Sequence, residues 1–164
     1  MKVLITGGKS ALALKMLKAF EQHQVLLADY GEMPNFSSSA YSFISLGEKN
    51  EDTIAHTLLN HCLNEGVDLI LPLHTFEIIS IAKAKILFNE FNIELLLPNA
   101  DDLGAYFDEK PAAKLTHWVV FKNGEILFCS TADDKLLTIG KTAILSGAFY
   151  FDHGTVANLN LITI

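Results

Sequence analysis

Cysteine is scarce in this chain of 164 residues: Cys62 and Cys129 stand far apart and form no Cys-x-x-Cys pair. That scarcity excludes a disulfide framework and a cysteine-based zinc site, and it leaves two reduced, half-buried thiols as the expectation. Basic residues are few as well, 12 against 19 acidic, for a formal charge of −7. A nucleic-acid binder needs a basic surface, so that class is excluded. No apolar run approaches the roughly 20 residues that span a bilayer, so no membrane segment is expected. No signal peptide is expected from the opening residues, because Gly7-Gly8-Lys9-Ser10 interrupts the apolar run, and a cytoplasmic protein is the expectation. What the chain has in quantity is apolar side chain: half its residues are hydrophobic and its mean hydropathy is +0.29, enough for a genuine core.

The apolar residues fall in alternating strand and helix patterns. Lys2–Thr6 reads as a buried strand, Gly7-Gly8 as a tight turn, and Ser10 as the cap of a helix running to about Gln22. Val25–Asp29 and Tyr41–Leu46 read as the next strands. A helix then starts at Asn50-Glu51-Asp52 and stops at Gly66. Asp68–Leu71 is a fourth strand closed by Pro72, His74-Thr75 opens a helix lasting to about Glu90, and Ile93–Leu97 is a fifth strand. This alternation implies an α/β unit: a Rossmann-like parallel sheet of about five strands with helices on both faces.

From about residue 115 the pattern changes. His117–Phe121, Asn123-Gly124 and Glu125–Cys129 form a hairpin signal, and Lys135–Ile139, Lys141–Phe151 and Thr155–Ile164 read as further strands. Gly140 and Asp152-His153-Gly154 then fall at turns. The expected division is an α/β domain over 1–114 and an all-β hairpin appendage over 115–164. The appendage packs on that domain or pairs with a second copy, as a homodimer element.

Candidate site residues lie at the carboxyl ends of the strands. Gly8-Lys9-Ser10 resembles the end of a phosphate loop, but the first glycine of that motif falls at Val3, which removes the amide cradle. A dinucleotide fingerprint from Gly7 meets Lys9 and Leu12, and the Thr-Gly-Gly variant meets Ala11 and Ala13, where glycines are needed. Asp29, 22 residues beyond Gly7, is nevertheless placed like a ribose-binding acid, and Tyr106 and Lys110 have a Tyr-x-x-x-Lys spacing. His74, Thr75 and Glu77 follow the fourth strand, where open α/β sheets bind ligands, at a helix start suited to an anion or other polar group. The ligand-binding candidates are therefore Gly7, Gly8, Lys9, Ser10, Asp29, His74, Thr75 and Glu77. No metal site is expected: His56 and His61 do not share a helix face, and His153 reads as a turn residue.

Taken in order, these segments resemble the pre-ATP-grasp domain of ATP-grasp carboxylate–amine ligases, the group of carbamoyl-phosphate synthase large subunits and biotin carboxylase. The resemblance rests on Lys2-Val3-Leu4-Ile5-Thr6-Gly7-Gly8, Leu27-Ala28-Asp29, and Ser39-Ala40-Tyr41 leading to Phe43-Ile44-Ser45-Leu46. Val67-Asp68-Leu69-Ile70-Leu71-Pro72 with Glu77, and Asp108-Glu109-Lys110, complete it. It implies a five-stranded parallel unit that helps bind the carboxylate or amine substrate, with Lys110 as an ATP-contacting residue where the full enzyme is present. The residues after Lys110 are too few for the ATP-grasp module and carry no Gly-rich flexible loop. The expectation is thus a stand-alone, non-catalytic domain that binds a small polar ligand or a separately encoded ATP-grasp subunit. No cofactor is expected of it, although ATP and NAD(P) stay open. The alternative is a divergent NAD(P)-binding oxidoreductase using the Gly loop and Asp29.

Overall fold

Val3, Leu4 and Ile5 have no exposed surface, so the strand that carries them must lie between two covering layers. The computed structural model describes residues 1–107, 117–152 and 158–164. The first part of the chain runs β1 (Lys2–Thr6), α1 (Ala11–Met16), β2 (Gln24–Asp29), β3 (Tyr41–Ser45) and α2 (Ile54–Glu65). It continues through β4 (Leu69–Leu71), α3 (Thr75–Lys83), α4 (Lys85–Glu90) and β5 (Glu94–Leu95). The second part comprises β6 (His117–Lys122), β7 (Glu125–Cys129), α5 (Asp134–Ala143), β8 (Gly147–Phe151) and β9 (Asn160–Leu161).

The first five strands form a parallel sheet in the order β3-β2-β1-β4-β5. Val3, Ile5, Val25 and Leu27 pack on one face with Ala13, Met16 and Phe20 from α1 and the turn after it. Leu4, Leu26 and Ile70 pack on the other face with Leu58 and Cys62 of α2, Ile78 and Ile81 of α3, and Phe88 of α4. Each such fully buried side chain is worth about 1.5–3 kcal/mol. The expected α/β class, with helices on both faces, is what forms.

Helix boundaries differ in detail from the expectation. α1 gives way to a 3₁₀ turn over Leu17–Phe20 and ends before Gln22, because β2 already begins at Gln24. The helix expected from His74-Thr75 to Glu90 is two helices, broken where the Ala84 N–H is shared between the carbonyls of Ser80 and Ile81. Cys62 is fully buried rather than half-buried, and burial pushes its thiol up to about 12. Cys129 is half-buried, and both thiols are free.

The second sheet is antiparallel, in the order β7-β6-β8-β9. Asn123 and Gly124 turn the first hairpin at φ of 49° and 84°, the left-handed pair that an Asn-Gly turn predicts. Lys135–Ile139 is not a strand, however, but the middle of α5. Asp133 caps that helix through the Lys135 amide (3.0 Å), Asp134 sits in its first turn, and buried Leu136 and Gly140 are spaced four apart. Lys141–Phe151 likewise divides: its first residues finish α5, Ile144 ends the helix in the left-handed conformation, and only Gly147–Phe151 is strand. Of Thr155–Ile164, the described part holds strand only at Asn160–Leu161. His153, the Asp108-Glu109-Lys110 segment and the boundary at 114/115 lie outside the described residues.

Gly140 is not a turn residue but a contact. A Cβ there would stand 2.5 Å from Phe121 Cε1 and 2.9 Å from the Gly124 carbonyl oxygen. Gly140→Ala should therefore lower stability by about 1–3 kcal/mol despite the better helix propensity of alanine. Thermal melting checks this, and an unchanged or raised Tm would refute the contact.

The two sheets share their cores. Trp118 and Val120 of β6 join the α1-side cluster, while Val119 and Phe121 join the cluster on the opposite face. An ion pair from Lys122 Nζ to Glu94 Oε2 (2.8 Å) ties β6 to β5. The segment after β9 bridges the sheets: Ile162 N–H donates to Ala148 O (2.9 Å) and Ile164 N–H to Leu73 O (2.8 Å). Among the described residues, no helix is long and apolar enough to cross a membrane.

Candidate functional site

Strand order reverses beside β1, where connections leave toward β2 on one side and β4 on the other. In open α/β sheets, ligands bind at the carboxyl ends of the strands on either side of such a reversal. Thr6 ends β1, Asp29 ends β2, and Leu73-His74-Thr75 follows β4, so three separate segments converge at one edge.

Two hydrogen-bonded groups occupy it. In the first, Glu77 lies fully buried in the first turn of α3 and accepts from Thr6 Oγ1 (2.6 Å) and from the Tyr30 hydroxyl (2.7 Å). Thr6 Oγ1 in turn accepts from the Leu73 N–H (2.8 Å). Burial pushes the Glu77 carboxyl above its ordinary range, against the pull of the two hydroxyl donors. The Tyr30 hydroxyl is raised by burial and by the neighbouring carboxylates Glu77 and Asp29.

In the second group, Asp29 Oδ1 bonds His74 Nε2 (2.9 Å) and accepts from the Tyr30 amide (2.8 Å), while Oδ2 accepts from the Lys9 amide (3.1 Å). Burial alone would raise the Asp29 carboxyl, but the Lys9 amide, His74 and the Tyr30 amide together hold it below its ordinary range. The His74 ring stacks on Phe76 (centroids 4.8 Å apart), and Lys49 Nζ stands 3.8 Å from the Phe76 centroid. Asp29 thus holds Nε2 and sets the orientation of the imidazole, leaving Nδ1 on the far side of the ring.

The Gly loop is organised for packing. Gly8 N–H donates to Ala28 O (2.9 Å), Lys9 N–H to Asp29, and Ser10 N–H to Gly7 O (2.9 Å), so these amides are spent inside the protein. Ser10 Oγ caps α1 by accepting from Ala13 N–H (3.1 Å), as its position predicts. Lys9 Nζ is tied to Tyr30 O (2.7 Å). Gly8 is required because a Cβ would stand 2.7 Å from the Leu27 carbonyl carbon. Gly7 has φ +69° and faces the side chain of Ile164.

The candidates thus separate. Lys9, Asp29, His74 and Glu77 are drawn into one edge with Thr6 and Tyr30, which the sequence reading did not single out. Gly8 and Ser10 serve the turn and the helix cap. Thr75 turns from the network: its N–H (3.0 Å) and its hydroxyl (2.8 Å) both donate to Ile164 O. Tyr30 was accessible in principle as the residue after a strand-end acid. Nothing local signals Ile164. Of the other histidines, His56 is exposed and His61 half-buried on α2. Among the described residues no group of three His, Cys, Asp or Glu side chains can hold a metal ion. The chain has no arginine, so no guanidinium fork is available at this edge. Compared with known proteins, the chain matches no family model and no curated sequence.

Proposed function

We propose that this chain is a binding module similar to the pre-ATP-grasp domain, taking a small polar molecule at the carboxyl edge of β1, β2 and β4, for itself or for an ATP-grasp ligase encoded separately. The observation that carries this reading is the buried pair of groups, Thr6–Glu77–Tyr30 and Asp29–His74, at the point where strand order reverses. Burying two carboxylates costs stability unless each is hydrogen-bonded, and buried ionisable groups gathered at one sheet edge are concentrated at functional sites. Glu77 has both oxygens engaged, and Asp29 is held by two amides and an imidazole. Groups engaged in this way hold neighbouring atoms in place, which favours binding over chemistry.

The rival reading, an NAD(P)-dependent oxidoreductase, is less well supported. Asp29 lies at the end of β2, as a ribose-binding acid does, but it is turned toward His74 and two amides. The loop amides that would meet a pyrophosphate already have partners.

A thermal-shift panel of Mg–ATP, NAD(H), NADP(H), amino acids and small carboxylates tests the proposal. A ligand at 100 times its Kd adds about 2.7 kcal/mol, or about 5–10 °C in Tm for a chain of this size. The expected result is a shift with the small polar ligands and none with the dinucleotides. A shift with NAD(P)H alone would overturn the proposal.

A further inference from the structure

A cavity of about 400 Å³ lies between α4, β5, the β6–β7 turn and the residue before β8, and it shares no residue with the Asp29–His74 edge. That volume falls in the range of small-molecule pockets, roughly 300–1,000 Å³. Lys85 and Asn89 of α4, Glu94 of β5, Lys122 and Asn123 at the hairpin turn, and Ser146 supply its polar lining.

The polar groups there are only partly matched to one another. Lys85 Nζ donates to Leu97 O (2.8 Å) and to Asn99 Oδ1 (3.0 Å), which takes two of its three hydrogens. Burial draws the Lys85 pKa below its ordinary value, against the pull of Asp102, so this ammonium is short of water. Glu94 Oε2 is shielded from solvent. Lys122 Nζ stands 2.8 Å from it but outside hydrogen-bond geometry, so among the described residues this oxygen accepts no hydrogen bond. A buried acceptor without a donor calls for one from elsewhere. Ser146, only 3% exposed, accepts from the Asn123 amide (2.9 Å) and donates to Asn123 Oδ1 (3.3 Å), which holds that carboxamide by its oxygen and keeps its NH₂ as a donor.

These needs describe a ligand. Two ammoniums against one carboxylate leave one positive charge in excess, which asks for a single anionic group. Glu94 Oε2 asks for a donor, and the carboxamides of Asn89 and Asn123 suit groups that donate and accept at once, as a hydroxyl does. No aromatic ring lines the cavity among the described residues, so a flat base finds no platform to stack on. A second carboxylate would exceed the positive charge and offer nothing to Glu94.

We propose that this cavity is a second binding site, for an open-chain polyhydroxy monocarboxylate. Its carboxylate lies with the Lys85 and Lys122 ammoniums, one hydroxyl donates to Glu94 Oε2, and others meet the Asn89 and Asn123 carboxamides. The site stands apart from the reading of the β1, β2 and β4 edge.

The test is a ¹⁵N NMR titration of the full chain with D-gluconate and, separately, D-galactonate. The expected result is saturable shifts of the Asn89 and Asn123 side-chain NH₂ signals and the Ser146 amide, with the Lys9, Tyr30 and His74 amides unmoved. D-Sorbitol, which lacks the carboxylate, and hexanoate, which lacks the hydroxyls, should bind at least tenfold more weakly, as should inorganic phosphate. Lys122→Gln should weaken gluconate binding at least tenfold, with Lys85→Gln as the second variant should the loss of the Glu94 ion pair impair folding. Failure of both sugar acids to move these signals overturns the proposal, as does equal binding of sorbitol, hexanoate or phosphate. Shifts confined to Lys9, Tyr30 and His74 would also overturn it while supporting ligand binding at the other edge.

Discussion

Gly8→Ala should destabilise this protein by about 3 kcal/mol, lowering Tm by about 6–12 °C, the largest effect expected of any single methyl group in the chain. A Cβ at position 8 would stand 2.7 Å from the Leu27 carbonyl carbon, 2.9 Å from the Ala28 nitrogen and 3.0 Å from Leu27 Cβ. The first two are backbone atoms of a central strand, paired on both sides in the parallel sheet. They cannot move without breaking the ladder. The turn cannot retreat either, because the Gly8 N–H is bonded to Ala28 O (2.9 Å). Gly7→Ala is the informative comparison. Its backbone, at φ +69°, costs about 1 kcal/mol for a residue with a Cβ, and the atoms it meets belong to the Ile164 side chain, which can rotate away. The expected order is therefore Gly8→Ala worse than Gly7→Ala by about 2 kcal/mol. Equal or reversed losses in denaturant unfolding would show that the loop is not pinned against β2.

The second large effect is at Glu77, where shape and charge act in opposite directions. Glu77→Ala leaves the Thr6 and Tyr30 hydroxyls without their acceptor in a buried site and opens a cavity, at a cost of about 3 kcal/mol. Glu77→Gln keeps the shape: its carbonyl oxygen accepts from Thr6 Oγ1, and its NH₂ donates to the Tyr30 oxygen, which can accept as well as donate. What glutamine removes is a buried charge. The Glu77 carboxyl is raised above its ordinary value of 4.5 in the folded chain, principally by burial. Its protonated form is therefore favoured on folding. The stability it contributes is fully present below the unfolded pKa and is lost as pH rises through the folded one.

Asp29 works the other way. Its carboxyl is held below 3.8, so its contribution is present above that value and is lost as pH falls through the folded pKa. Glu77→Gln should accordingly be more stable than the parent chain at pH 7 and lose that advantage near pH 4, whereas Glu77→Ala is less stable at both. Urea unfolding at the two pH values decides the matter. A Gln variant as damaged as the Ala variant at pH 7 would mean that the ionised carboxylate is indispensable to the network.

Much of this was legible in the residues. The apolar runs at Val3–Ile5 and Val25–Ala28, each followed by turn and helix signals, implied a parallel sheet with both faces covered. Asn123-Gly124 placed the first hairpin. Lys135–Ile139 misled because Leu136, Leu137 and Ile139 satisfy a strand pattern when Asp133 and Asp134 are not counted as helix-starting residues. Only Leu136 of the three is fully buried, next to a glycine four residues on that receives the Phe121 ring. At the site, the loop glycines drew attention toward phosphate binding, because a tight turn against a strand and a phosphate cradle ask for the same residue. Which of the two a glycine serves depends on what its missing Cβ would touch, and at Gly8 that is β2.

The sequence by itself determined the strand and helix periods, the parallel class and the arrival of Asp29 and His74-Thr75-Phe76-Glu77 at one edge of the sheet. Those follow from local alternation and from the rule that parallel strands end on the same side. Tertiary structure decided what that edge contains. Glu77 turned inward because Thr6 and Tyr30, from two other strand ends, offered hydroxyls that compensate its burial. Ile164 came to rest over Gly7 because the antiparallel sheet, sharing both cores with the parallel one, returns the chain to the carboxyl end of β4. Contacts made by chain return carry no local period, so no spacing along the sequence could announce them.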